Sequence, residues 1–198
     1  MYKLILFDIG RVLVELTGSD LIHRFAQEEL DDEHIHNAWL TIPGVQRFER
    51  GLCDELEFAG DVIRFYGLTC DAHEFANHFR HAAERKFEGV DAFLTELGTH
   101  HDLACLTNTN PLQWPRIREE FGLGQYFSKQ YVSYELGLMK PDLAIYEHVV
   151  LDADTHASEI LFIDDNHANC AAASTVGMDT CHVTGFEDAQ QQVMSKLS

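Results

Sequence analysis

Four short segments, far apart in this 198-residue chain, run from apolar residues into side chains able to do chemistry. Leu4-Ile5-Leu6-Phe7 ends in Asp8, and Leu103-Ala104-Cys105-Leu106 ends in Thr107. Gly137-Leu138-Met139 ends in Lys140-Pro141, and Ile160-Leu161-Phe162-Ile163 ends in Asp164-Asp165. A carboxylate such as Asp8 can attack phosphorus and form an acyl-phosphate, dividing one difficult step into two easier ones. A hydroxyl such as Thr107, followed by Asn108 and backbone N–H groups at a strand-to-helix turn, makes a site for phosphate oxygens. A lysine between a carboxylate and a phosphate offsets their repulsion, the role open to Lys140. Asp164 and Asp165 repel one another unless a cation sits between them. A hard ion such as Mg2+, held by one or two carboxylates with phosphate oxygens and water, answers that need.

Each segment alone has a plainer reading. Asp8 reads equally as a strand-end turn residue, and Asn108, Thr109 and Asn110 as turn and capping residues. Lys140 reads as a surface lysine, and Asp164-Asp165 as a solvated helix N-terminus that favours acidic groups. What turns the balance is that all four end an apolar segment. Uninterrupted apolar runs with polar ends are strands buried on both faces, as in a parallel sheet. Ligands in such sheets bind beyond the carboxyl ends of the strands, so the four groups converge on one crevice.

The elements between them fit that sheet. Strands are predicted over residues 2–7, 102–107, 130–133, 160–163 and 180–183. Helices are predicted over 90–97, from Pro111 towards Phe121, over 141–150 and 168–174, and at the C-terminus. Strand alternating with helix means an α/β chain with a doubly wound parallel sheet. Residues 19–83 break the alternation. Leu21, Phe25 and Leu30, then Leu56, Phe58, Val62 and Phe65, then Phe75 and Phe79 follow helical spacing, with no convincing strand. Asp54 and Asp71 precede two of these stretches as N-caps. A helical insertion in an α/β core is expected.

Fourteen basic against 33 acidic residues give a net charge of −19, which repels nucleic acid and anionic membranes and excludes both as partners. An anionic substrate then needs local cations at its site. Five cysteines without C-x-x-C spacing, with Cys105 in an apolar strand and Cys170 in a small-residue helix, read as reduced, buried thiols. Met1 leads directly into the first strand with no charged leader or cleavage site, and no apolar run is long enough to span a bilayer. A cytoplasmic protein acting on a small phosphorylated metabolite is expected; the sequence is silent on oligomeric state. The histidines, including His34, His36, His100 and His101, lack partners at zinc-like spacing.

In this order the segments resemble the haloacid dehalogenase (HAD)-like hydrolase superfamily, over essentially the whole chain. The resemblance implies a Rossmann-like core of residues 1–15 and 86–198, with residues 16–85 as a helical C1 cap over the site. It implies Asp8 as nucleophile, with Mg2+ held by Asp8, the Gly10 carbonyl and Asp165, and Asp164 beside it. It further implies Thr107 on phosphate, Lys140 stabilising nucleophile and phosphate, and Asn169 as a supporting polar residue. Phe7-Asp8-Ile9-Gly10, Leu106-Thr107-Asn108-Thr109-Asn110, Gly137-Leu138-Met139-Lys140-Pro141 and Phe162-Ile163-Asp164-Asp165-Asn166 are most similar to a bacterial sugar-phosphatase branch that includes alpha-D-glucose-1-phosphate phosphatases. Phe48-Glu49-Arg50-Gly51 shares that similarity.

One position departs from the superfamily. Most of its phosphatases carry an acid/base Asp two residues after the nucleophile, where this chain has Gly10. Loss of a positioned acid/base costs about 100- to 10,000-fold. A glycosyl phosphate leaves as a relatively acidic hemiacetal, so Gly10 fits an anomeric phosphate. Hydrolytic dehalogenation, and a ligand-binding protein without turnover, are the competing readings. The acidic pair argues against the first, and retention of Asp8, Thr107 and Lys140 against the second. Arg11 leans towards the phosphate or faces solvent. For Arg47 and Arg50 an ion pair inside the cap is expected ahead of ligand contact.

Overall fold

The computed structural model describes residues 2–198, apart from the side chains of His36 and Asn37. Met1 and the His36 side chain therefore lie outside the described residues.

Five parallel strands form the central sheet: β1 (Leu4–Phe7), β4 (Asp102–Thr107), β5 (Lys129–Val132), β6 (Ile160–Asp164) and β7 (Asp179–His182), in the order β5-β4-β1-β6-β7. Strand β1 is central, with Phe7 in register with Cys105 on one side and Ile163 on the other. Side chains alternate across the sheet. Ile5, Phe7, Leu103, Cys105, Leu161 and Ile163 enter one core layer; Leu4, Leu6, Ala104, Leu106, Ile160 and Phe162 enter the opposite one. Helices α6 (Val90–Leu97) and α10 (Phe186–Leu197) cover the first layer. Helices α8 (Leu143–Ala153) and α9 (His167–Val176) cover the second. Burial on both faces is why these strands read as continuous apolar runs.

Between β1 and α6 the chain forms β2 (Val14–Leu16), α1 (Gly18–Phe25), α2 (Asp32–Trp39), α3 (Pro43–Phe48), α4 (Glu55–Tyr66), α5 (Ala72–Phe79) and β3 (Ala83–Lys86). The five helices have their own core, with Phe58 packed against Phe48, Trp39, Phe75 and Phe79. Asp54 caps α4 in a capping box with Glu57, and Asp71 caps α5 through the Glu74 amide, as expected. Leu112 and the Gln113 carboxamide, which donates to the Phe79 carbonyl at 3.0 Å, tie these helices to the sheet domain.

The structure corrects the element map at several points. Strands β2 and β3 pair antiparallel as a two-stranded ribbon where the expected reading had a turn and helices. They are short, and β3 carries exposed Glu84 and Arg85, so no apolar run marks them. Strand β1 begins at Leu4, because Lys3 is already exposed. The segment after Pro111 includes a π-helical turn at Arg116–Glu120, closed by the Phe121 amide on the Arg116 carbonyl. Pro141 lies outside α8, whose N-cap is Asp142. Lys140 does not follow a strand: the short helix α7 (Ser133–Leu136) and Gly137 intervene after β5. All five cysteines are free thiols; four are buried and Cys53 is partly buried. No described helix is long and apolar enough to cross a membrane.

Candidate active site

Adjacent parallel strands end together, and the first residues past β1, β4 and β6 are the ones that could do chemistry. Asp8 follows β1, its amide bonded to the Ile163 carbonyl at 2.8 Å. Asp164 is the last residue of β6 and is fully buried. Thr107 ends β4 and is buried beside them in the strand order.

Lys140 reaches these strand ends from the loop before α8. Its side chain is 2 % exposed, and Nζ donates to Asp8 Oδ1 at 2.6 Å and to Asp164 Oδ2 at 2.7 Å. Nζ also lies 5.6 Å from the centre of the Phe162 ring. A lysine so deep in the protein is stable only because it is paired with two carboxylates. Burial works against its charge, but Asp164 and Asp8 outweigh that and hold its pKa above the ordinary lysine value.

Asp164 is saturated with donors. Oδ1 accepts from the Asn166 amide at 2.8 Å and from Asn169 Nδ2 at 3.0 Å, and Asn169 also reaches Oδ2 at 3.1 Å. The supporting place expected for Asn169 is thus a clamp on Asp164. Asp165 is more exposed and forms a 3.8 Å ion pair with Arg11. Arg11 thus lies beside Asp165 with its side chain half-exposed. Arg11 also has φ +59, which follows from the tight turn closed by its amide on the Val14 carbonyl.

The Asn108 side chain is held by the backbone of Lys140. Its Nδ2 donates to the Lys140 carbonyl at 2.9 Å and its Oδ1 accepts the Lys140 amide at 2.9 Å. Both ends of the carboxamide are engaged by the backbone of the lysine. Thr109 and Asn110 are structural as well. Ser133 Oγ accepts from the Thr109 amide at 3.0 Å and donates to its carbonyl at 3.1 Å, and Asn110 Oδ1 accepts from the Leu112 and Gln113 amides.

Oxygens of Asp8, Asp164 and Asp165 lie within 4.8 Å of one another, a donor set suited to a hard divalent cation. The electrostatics agree. Burial, reinforced by Asp164 and Asp165 and opposed by Lys140, pushes the Asp8 carboxyl up to about 7. Three acids face one buried lysine and the half-exposed Arg11 at the cluster's edge, and a divalent cation there would favour ionised Asp8.

Two features escaped the sequence reading. Arg47 pairs with Asp61 at 3.4 Å and Glu57 at 3.8 Å, inside the inserted helices as expected, but Arg50 crosses to Asp142 of the sheet domain at 2.6 Å. Next to it, Glu49 is a buried carboxylate. The signal available was its spacing: Val45, Phe48 and Glu49 fall at i, i+3 and i+4, so the acid lies on the apolar face of α3. Gly10 leaves no side chain beside Asp8, and a Cβ there would lie 2.8 Å from Leu16 Cδ1.

The doubly wound sheet thus carries a carboxylate–lysine cluster at its carboxyl edge. A family model for haloacid dehalogenase-like hydrolases matches residues 2–177, and the chain belongs to that family. It is 26 % identical over 98 % of its length to a D-ribitol-5-phosphate phosphatase of Bacteroides thetaiotaomicron, covering 97 % of that protein. It is 29 % identical to a sesquiterpene phosphatase of Aspergillus oryzae, covering 92 % of this chain and 90 % of that one. A HAD-family enzyme of B. thetaiotaomicron, crystallised with magnesium and inorganic phosphate, superposes with a TM-score of 0.79 at 25 % identity, covering 97 % of this chain and 99 % of that one.

Proposed function

We propose that the protein is a Mg2+-dependent phosphatase of a small sugar or sugar-alcohol phosphate, acting through an aspartyl-phosphate on Asp8. The observation that carries this reading is the buried Lys140 Nζ, 2.6 Å from Asp8 Oδ1, beside the Asp8–Asp164–Asp165 oxygen cluster. The phosphatase and magnesium-bound relatives support it. In this reading residues 1–15 and 86–198 form the catalytic core, and residues 16–85 form a cap over it.

The geometry supports a division of labour. Asp8 supplies the attacking carboxylate oxygen. Lys140 stays charged between Asp8 and Asp164 and neutralises the approach of the phosphate to the nucleophile. Asn108 holds the lysine backbone, Asn169 holds Asp164, and Thr107 offers its hydroxyl to a phosphate oxygen. The residues that would hold Mg2+ are Asp8, Asp165 and the Gly10 carbonyl, with Asp164 behind them; the ion supplies charge neutralisation for the phosphoryl oxygens. With Gly10 in the acid/base position, the leaving oxygen receives no proton from that residue. An anomeric phosphate, whose leaving group is the more acidic, fits this arrangement best.

The test is phosphate release from a panel of anomeric sugar phosphates, polyol phosphates and haloacids, with and without Mg2+, for the native protein and Asp8→Asn. Mg2+-dependent release that disappears in Asp8→Asn is expected. Metal-independent halide release, or no release from any phosphate ester by a folded protein, would sink the reading.

A further inference from the structure

The two halves of phosphatase turnover ask different things of the residues around Asp8. In the first, an Asp8 oxygen bonds to phosphorus while the bond to the leaving oxygen breaks. The alcohol departs with that electron pair and takes a proton from solvent. In the second, a water oxygen bonds to phosphorus, the bond from phosphorus to Asp8 breaks, and the carboxylate recovers its electron pair. The water must give up a proton as it attacks. An acidic leaving group eases the first half alone, because the nucleophile of the second is water whatever the substrate.

Gly10 brings no side chain to take that proton, and the space beside it is filled: a Cβ there would lie 2.8 Å from Leu16 Cδ1. The chain folds back after the nucleophile, with the Val14 amide on the Ile9 carbonyl at 3.0 Å and the Arg11 amide on the Val14 carbonyl at 2.7 Å. Leu16 then pairs with Ala83 across the ribbon, and the next amide, Thr17, bonds to the Ala82 carbonyl at 2.9 Å. The backbone that presents Leu16 to Gly10 is thus held on both sides. A leucine side chain accepts no proton and disfavours water beside it.

The ionisable groups that act on Asp8 are already engaged. Lys140 keeps its proton, held above the ordinary lysine value by two carboxylates. Both oxygens of Asp164 accept hydrogen bonds, from Lys140, Asn169 and the Asn166 amide. Asp165 is paired with Arg11 at 3.8 Å. Cys105 is fully buried, and burial keeps its thiol protonated. Asp8 itself is only 7 % exposed.

We propose that transfer of the phosphoryl group from Asp8 to water is the slow half of turnover, so that the protein phosphorylated on Asp8 is the species that accumulates while substrate lasts. Gly10 and Leu16 together set this balance. The absence of a positioned base, a loss of about 100- to 10,000-fold, falls on the second half, while an activated leaving group spares the first. The inference rests on the phosphatase reading above and fixes which of its two steps limits the rate.

The test adds p-nitrophenyl phosphate to the ester panel above and follows the fastest ester with Mg2+ by rapid quench, with intact-mass measurement of the protein. A burst of free alcohol about equal to the protein concentration is expected, followed by slower release of alcohol and phosphate together. Phosphorylated protein is expected to dominate during turnover and to be missing in Asp8→Asn. In the double variant Gly10→Asp/Leu16→Ala the phosphorylated fraction is expected to fall about 10-fold or more. Linear release from the first turnover, with the native protein mostly unphosphorylated, would overturn the proposal, and that measurement needs no variant to fold. A folded double variant that keeps the native burst would overturn the part given to residues 10 and 16. Absence of release from every phosphate ester would instead overturn the phosphatase reading itself.

Discussion

Asn108 grips Lys140 by both ends of its peptide unit, donating to the carbonyl and accepting from the amide, each at 2.9 Å. The contact joins the end of β4 to the loop that brings the lysine to Asp8. A side chain one residue past Thr107 thereby sets the position of a charge that acts on Asp8.

Asn108→Ala removes both bonds. At about 1 kcal/mol each, with a buried backbone group left bare, the loss is about 1–3 kcal/mol of stability. Turnover is expected to fall about 10- to 100-fold as Lys140 shifts. Urea unfolding and steady-state rates check this, and unchanged turnover would remove Asn108 from the positioning role.

Gly51→Ala tests the docking of the cap segment. The backbone conformation at φ +70 and the approach to the Tyr134 carbonyl oppose a side chain together, at about 2–4 kcal/mol. Gly67→Ala is the control. It has φ +64 and nothing within 4 Å of its Cβ, so it carries only the backbone part, about 1 kcal/mol. Equal losses in the two variants would show that the contact with Tyr134 is dispensable.

Glu49 gives the metal-free protein a pH signature. Its folded pKa, about 7, lies above the ordinary glutamate value of 4.5. Between those values the folded state holds a proton that the unfolded state releases, so stability falls as pH rises from about 4.5 to 7 and levels off above. Relative to Glu49→Gln, the native protein is expected to lose about 1–3 kcal/mol over that interval. Parallel denaturation curves at pH 5 and pH 8 decide it. No change in the difference would mean that Glu49 is ionised throughout.

Gly10→Asp would supply the absent acid/base, but its Cβ meets Leu16 Cδ1 at 2.8 Å. Leu16 is partly exposed and ends in a flexible side chain, so Leu16→Ala clears the space. The double variant is expected to gain about 10- to 100-fold on alkyl phosphates, with a smaller gain in Gly10→Asp alone. No gain in the double variant would separate the identity of residue 10 from leaving-group choice.

The sheet and the edge of the candidate site were legible because β1, β4 and β6 are buried on both faces and run into Asp8, Thr107 and Asp164–Asp165. Asp54 and Asp71 were legible as caps because capping is local, reaching only two or three residues ahead. The ribbon of β2 and β3 was not, since its pairing joins residues about 70 apart and half its side chains are polar. The partners of Asn108 and Arg50 lie 32 and 92 residues away, and no periodicity in a single sequence encodes such pairs. Glu49 announced itself only as an acid out of place on an apolar helix face.

The ribbon has a mechanical consequence. Both passages of the chain into the inserted helices run side by side through β2 and β3, laced by the Arg85–Glu15 ion pair at 2.9 Å. Two connections fastened together bend as one strip, so they permit swing about a common axis and resist sliding of one crossing past the other. The strip is also anchored to the turn after Asp8, through the Gly10–Val14 bridge and the Arg11 amide on the Val14 carbonyl at 2.7 Å. The strip that carries the inserted helices is therefore tied directly to the peptide units two residues past Asp8.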